Sequence, residues 1–138
     1  MILREGRKED LLQLQADFKL DLILINSMPE MKDSYFESKL LSREELTFVA
    51  HPKFKTLKSK GFQGMPVILP TYDSSTRQKL DLYFKQNNIQ PDIIAEVEDK
   101  ATEIDLALKG FGVIVVAKKV VQSELKNKTL VDLGVMKN

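Results

Sequence analysis

The chain has 138 residues, enough to bury a core as one domain or as two small lobes. Its 21 basic and 20 acidic residues leave a formal net charge of +1, so no long-range field favours nucleic acid or an anionic membrane. Cysteine is absent, which removes disulfides, thiol nucleophiles and thiolate metal ligands together and fits a reducing cytoplasm, and no apolar run approaches the roughly 20 residues of a membrane span.

The start carries Arg4 and Glu5 and does not read as an export signal. Residues 7–18 place Leu11, Leu14 and Phe18 at i, i+3 and i+7, the spacing of a short one-faced helix. Residues 20–25 are apolar around Asp21 and suit a strand covered on both faces, with Ile2-Leu3 as its partner across a right-handed crossover. Asn26-Ser27-Met28-Pro29 ends that strand. Residues 30–45 read as a solvated connection with a short edge strand near 38–41. A strand at 46–50 stops at His51-Pro52, because proline donates nothing to a ladder and pushes the residue before it out of the helical region. Residues 53–64 are basic and turn-rich, a linker or one short helix, and the composition shift places a crossing between two lobes at 50–64.

The second half alternates more clearly. Residues 65–69 form a strand, and Ser74 or Ser75 caps a helix running to about Asn87 with Leu80, Tyr83 and Phe84 inward. Residues 92–97 form the next strand, and Asp99 caps a helix carrying Ala101, Ile104, Ala107 and Leu108 that Gly110 ends in a left-handed turn. A strand at 113–117, a brief helix over 118–125 and a strand at 129–133 complete the order. Strand–turn–helix units in succession predict an α/β fold with a parallel sheet and a ligand site at its carboxyl edge.

Few residues offer chemistry. Gly110-Phe111-Gly112 follows a helix and opens a strand, the reverse of a phosphate-cradling loop, so a structural role is expected: a helix stop at Gly110 and a close approach at Gly112. The turn Thr71, Tyr72, Asp73, Ser74, Ser75 and Thr76 lies where a strand end meets a helix N-terminus, which suits a small anion or carboxylate and equally suits a capped turn with no ligand. Asp73 there disfavours a strongly anionic ligand and favours an amine or hydroxyl. Glu96, Glu98 and Asp99 form the densest acidic cluster; they read as a solvated strand end with a helix cap, and alternatively as oxygen ligands for a weakly held monovalent cation. No metal-loop spacing and no cofactor motif is present, so neither is expected. His51 is the only histidine and sits beside Pro52, a surface or hinge position that leaves nucleophilic catalysis without a base; no enzyme is expected.

The order and spacing of Arg4-Glu-Gly-Arg-Lys-Glu-Asp-Leu-Leu, Leu20-Asp-Leu-Ile-Leu, Leu46-Thr-Phe-Val-Ala, Pro66-Val-Ile-Leu-Pro, Ile94-Ala-Glu-Val-Glu-Asp and Gly110-Phe-Gly-Val resemble the effector-binding domain of LysR-type transcriptional regulators. The wording around 47–52 and 65–80 is most similar to the sodium/proton antiporter regulator branch. The resemblance implies a two-lobe, type II periplasmic-binding-protein-like fold with a small-molecule or ion effector in the cleft. It divides the chain into a first lobe at 1–50, a hinge at 51–64, a second lobe at 65–124 and a return segment at 125–138. Carried over by position, Asn26 and Ser27 line the first lobe's side, Thr71, Tyr72, Asp73, Ser74 and Ser75 the second lobe's, and Glu98 and Asp99 the adjoining helix start. It also implies a homo-oligomer, a dimer at least, in which DNA is met only through a helix-turn-helix whose pattern this chain lacks. The usual first strand and helix and the usual last pair have no counterpart, so the domain reads as truncated at both ends, and Ala117 stands where many relatives have proline. A solute-binding protein of a transport system shares the fold and is the alternative reading.

Overall fold

The computed structural model describes residues 2–26 and 37–137. Its contacts divide the chain into two units, Met1–Lys39 and Leu40–Asn138. In the first, α1 (Lys8–Ala16) ends at Asp17, where Phe18 turns to a positive φ of 56°. Leu11 and Leu14 are half-buried as the helical spacing requires, but Phe18 lies past the helix end and is 91% exposed. Residues 20–25 are irregular and so are 2–3; the expected strand pair is not formed. Leu22 and Leu24 stand exposed, and no strand among the described residues pairs with this run, so its backbone has no ladder to join whatever its apolar content. The expected edge strand at 38–41 is likewise irregular.

The second unit is built on five strands. β1 (Leu46–Ala50) pairs antiparallel with β4 (Ile114–Ala117) on one side and β5 (Val131–Val135) on the other. β2 (Pro66–Pro70) and β3 (Asp92–Val97) pair in parallel. Val113, just before β4, bridges Val67 in parallel: its N–H donates to Pro66 O at 2.8 Å and its carbonyl accepts from Ile68 N at 2.9 Å, which joins the two sheets. The expected parallel sheet is therefore mixed, because β1 runs against its neighbours. The last strand begins two residues later than the sequence predicts, since Thr129 and Leu130 are spent bonding back to Glu124 O at the end of α4 (Gln122–Lys126).

Burial follows the two-residue period of the strands. On β2, Val67 and Leu69 join Leu80 and Phe84 of α2 (Ser75–Gln86), whereas Ile68 joins Ala107 of α3 (Lys100–Leu108). Both faces of the sheet are thus covered, which explains why β1 and β2 are near-continuous apolar runs. Residues 52–60 form two short 3₁₀ turns whose Phe54 and Leu57, followed by Phe62, pack on the α2-side core, with Phe62 stacked on Phe48 at 4.9 Å. His51 is used locally, its Nδ1 accepting from Lys53 N at 3.2 Å. Gly110 ends α3 at a φ of 77°, and Gly112 lies against β2, where an added Cβ would meet Pro66 O at 2.9 Å. Gly110 is the expected helix stop, whereas the close approach at Gly112 is to the neighbouring strand and not, as expected, between helix and sheet. No helix among the described residues is long and apolar enough to cross a membrane.

Candidate functional site

β2 and β3 are parallel, and their last residues, Pro70 and Val97, are register partners. Their connections to α2 and α3 therefore emerge side by side at one sheet edge. In the first, Ser74 N donates to Thr71 O at 3.0 Å, Thr71 Oγ1 donates to Asp73 Oδ1 at 2.9 Å, and Ser74 Oγ accepts from Thr76 N at 3.2 Å to cap α2. In the second, Asp99 caps α3 by accepting from Thr102 N at 2.8 Å and Thr102 Oγ1 at 2.7 Å. The Thr102 hydroxyl bond, followed by its backbone bond, holds the Asp99 carboxyl below its ordinary range. Each turn thus ends in a capped helix N-terminus, and the first-turn N–H groups of both helices face the same edge.

Tyr72, Asp73, Glu98 and Asp99 are exposed, and Thr71, Ser74 and Ser75 are half-buried. The structure brings these seven to the edge together. Asn26 is exposed and belongs to the other unit; Ser27 lies outside the described residues. The acidic cluster is already engaged: Glu96 accepts from Arg77 and Asp99 from Thr102, and among the described residues no group of three His, Cys, Asp or Glu side chains converges as on a metal. Two open hollows lie elsewhere in this unit, one of about 240 Å³ lined by Lys79, Leu82, Tyr83 and Gln86 and one of about 510 Å³ along α4. The strand-end geometry, not depth, marks the 71–75 turn.

Sequence reasoning missed two residues here. Arg77 is only 6% exposed; its Nη1 donates to Pro70 O at 3.1 Å and Glu96 Oε1 at 2.6 Å, its Nε to both Asp81 oxygens at 3.0 and 3.1 Å, and its guanidinium lies 5.7 Å from the Tyr72 ring centre. Burial opposes its charge, and the bonds from Glu96 and Asp81 outweigh burial and raise its pKa. Glu103, on the inner face of α3, is 1% exposed; Lys100 holds one of its oxygens and Oε1 has no partner among the described residues. Burial pushes its pKa up against the opposing pull of Lys100. A signal existed for both: 77, 80 and 84 form one helical stripe, and 103 and 107 lie one turn apart on another.

Against known families, the model of the LysR substrate-binding domain matches residues 1–135. The chain belongs to the LysR substrate-binding domain family. Members of this family have the two-lobe, type II periplasmic-binding-protein-like fold, and the solved structures that the chain resembles include regulatory and effector-binding domains. Over 92% of its length it is similar to the regulatory domain of a HypT mutant from Salmonella typhimurium, with 12% identity and a TM-score of 0.79. The effector-binding domain of QuiR in complex with shikimate aligns over 94% of the chain at 20% identity and a TM-score of 0.69. The Synechocystis PCC6803 CcmR regulatory domain in complex with 2-PG aligns over 91% at 19% identity and a TM-score of 0.72. Of the three solved chains, 64%, 62% and 62% respectively are covered, so this LysR-family chain spans less than two thirds of their length. No curated protein matches it. The family model places the chain with the substrate-binding domains of LysR-type regulators, not with transport solute-binding proteins.

Proposed function

We propose that this chain senses a small effector for a LysR-type transcriptional regulator, and that the effector meets the sheet edge formed by Thr71, Tyr72, Asp73, Ser74, Ser75, Glu98 and Asp99. One observation carries the reading: parallel pairing of β2 and β3 sets two strand-to-helix turns side by side, each ending in a capped helix start. Backbone N–H groups and the positive ends of two helices then face one ligand, with hydroxyls from the turn to orient it. The complexes of QuiR with shikimate and of CcmR with 2-PG support a small organic effector. In this reading residues 65–124 belong to the second lobe and carry this edge, while Asn26 and Ser27 belong to the first lobe. The parent regulator works in the cytoplasm as a dimer, meets its operator through a helix-turn-helix beyond the residues matched here, and catalyses no reaction. The wording of 47–52 and 65–80 favours the sodium/proton antiporter regulator branch.

Titration of isotope-labelled protein with a panel of small hydroxy- and phospho-acids, starting with shikimate and 2-PG, tests the site. Amide shifts clustered at 71–76 and 98–102 are expected. Shifts confined to the hollow along α4 or to the α2 face at Lys79 and Leu82 would remove the effector from this edge.

A further inference from the structure

We propose that Arg77 is the positioning residue of the effector edge: its guanidinium ties the 71–75 turn to β3, so that the turn keeps its shape only while Glu96 accepts from it. The tie stands on geometry; its consequence for ligand rests on the reading of the turn as the effector contact. Arg77 rises from the first full turn of α2 and is almost wholly covered. Nη1 reaches Pro70 O, the carbonyl from which the turn departs, and also Glu96 on the neighbouring strand. Pro70 has no N–H of its own with which to fix the end of β2. Glu96 lies 19 residues further along the chain, so this bond closes the rest of α2 and the following connection onto β3, while the bond to Pro70 O holds the start of the turn. Planar and forked, a guanidinium serves three acceptors at fixed angles, which a lysine ammonium does not. Tyr72, at the tip of the turn, lies within reach of the same guanidinium.

Asp81 makes the assignment testable, because it also binds Arg77 but sits on the same helix and bridges no gap. Native-state amide exchange of the 138-residue chain, with no ligand added, compares wild type, Glu96→Ala and Asp81→Ala. Ser74 N and Thr76 N report on the turn; Val113 N, bonded to Pro66 O in mid-sheet, reports on opening of the whole unit. Glu96→Ala, which removes the acceptor, is expected to speed exchange at Ser74 and Thr76 about tenfold, the scale of one charge-assisted hydrogen bond, with Val113 unchanged. Asp81→Ala is expected to leave the turn within about twofold of wild type. Equal acceleration at Val113 would reduce Glu96 to a general stabiliser and overturn the proposal, as would an unaffected turn in Glu96→Ala or equal effects of the two variants. Because no effector enters the experiment, its failure leaves the ligand reading of the turn standing, and a failed effector titration leaves the tie standing.

Discussion

At the scale of single residues, two carboxylates, one capping α3 and one within it, pull the stability of this unit in opposite directions with pH. Glu103 is buried with one oxygen unpaired among the described residues, and its folded pKa lies above the ordinary 4.5. The folded protein therefore binds that proton more tightly than the unfolded chain, and the penalty of the ionised form is present at neutral pH and is released as pH falls through the folded value toward 4.5. Glu103→Leu should be neutral to stabilising by about 1 kcal/mol at pH 7, since it removes a charge the core leaves half-satisfied. The gain should shrink in urea titrations repeated at decreasing pH. Asp99 behaves in the reverse sense: its folded pKa lies below 3.8, so its contribution is present above that value and is lost as pH falls through the folded one. Asp99→Ala should lower the melting temperature at neutral pH and flatten the acid limb. Gly112→Ala is a packing matter with no pH dependence: the new methyl meets Pro66 O at 2.9 Å and Ile94 Cδ1 at 3.0 Å, and a loss of about 1–3 kcal/mol is expected in denaturant titration.

At the scale of elements, what could be read from sequence was what local chemistry decides. Ser74 and Asp99 cap their helices, Gly110 stops α3, and the runs at 65–69 and 92–97 become strands, because caps, left-handed stops and short apolar runs between polar turns act over a few residues. Residues 20–25 carried the same apolar signal and did not become a strand, because pairing is a property of two segments and sequence pattern shows only one. Arg77 and Glu103 escaped notice for a related reason: a charge on the inner stripe of a helix looks like a break in amphipathicity until its partners, Glu96 in one case and Lys100 in the other, are placed beside it. The same partners decide the cation question at the β3 end. With Glu96 turned to Arg77 and Asp99 to Thr102, the cluster offers no converging oxygens, so melting curves in sodium and in potassium at equal ionic strength should coincide for wild type and for Glu98→Gln. A sodium-specific rise that vanishes in Glu98→Gln would restore a cation to this edge.

At the scale of the whole molecule, the second unit ends in a strand with an unpaired side. β3 bonds only β2 among the described residues, and Ile93, the register partner of Val67 on the face that α2 covers, remains 47% exposed. On α2 itself Leu82 is 54% exposed and lines the hollow with Lys79, Tyr83 and Gln86. An open strand edge flanked by apolar side chains is a template for another chain. The exposed Ile2, Leu3 and Phe18 of the first unit add apolar surface of their own. The chain is therefore expected to self-associate, as dimers at micromolar concentration and as larger species above it. Sedimentation velocity across a concentration series measures this directly, with Ile93→Lys combined with Leu82→Lys as the variant that places charge on the β3 edge and the α2 face. If those surfaces make the contact, the variant sediments as a monomer at concentrations where the parent chain does not, with unchanged far-ultraviolet circular dichroism. Association that persists in the variant would shift the contact to the apolar residues of the first unit, and a parent chain that stays monomeric throughout would show that neither surface is sticky enough to hold a second copy.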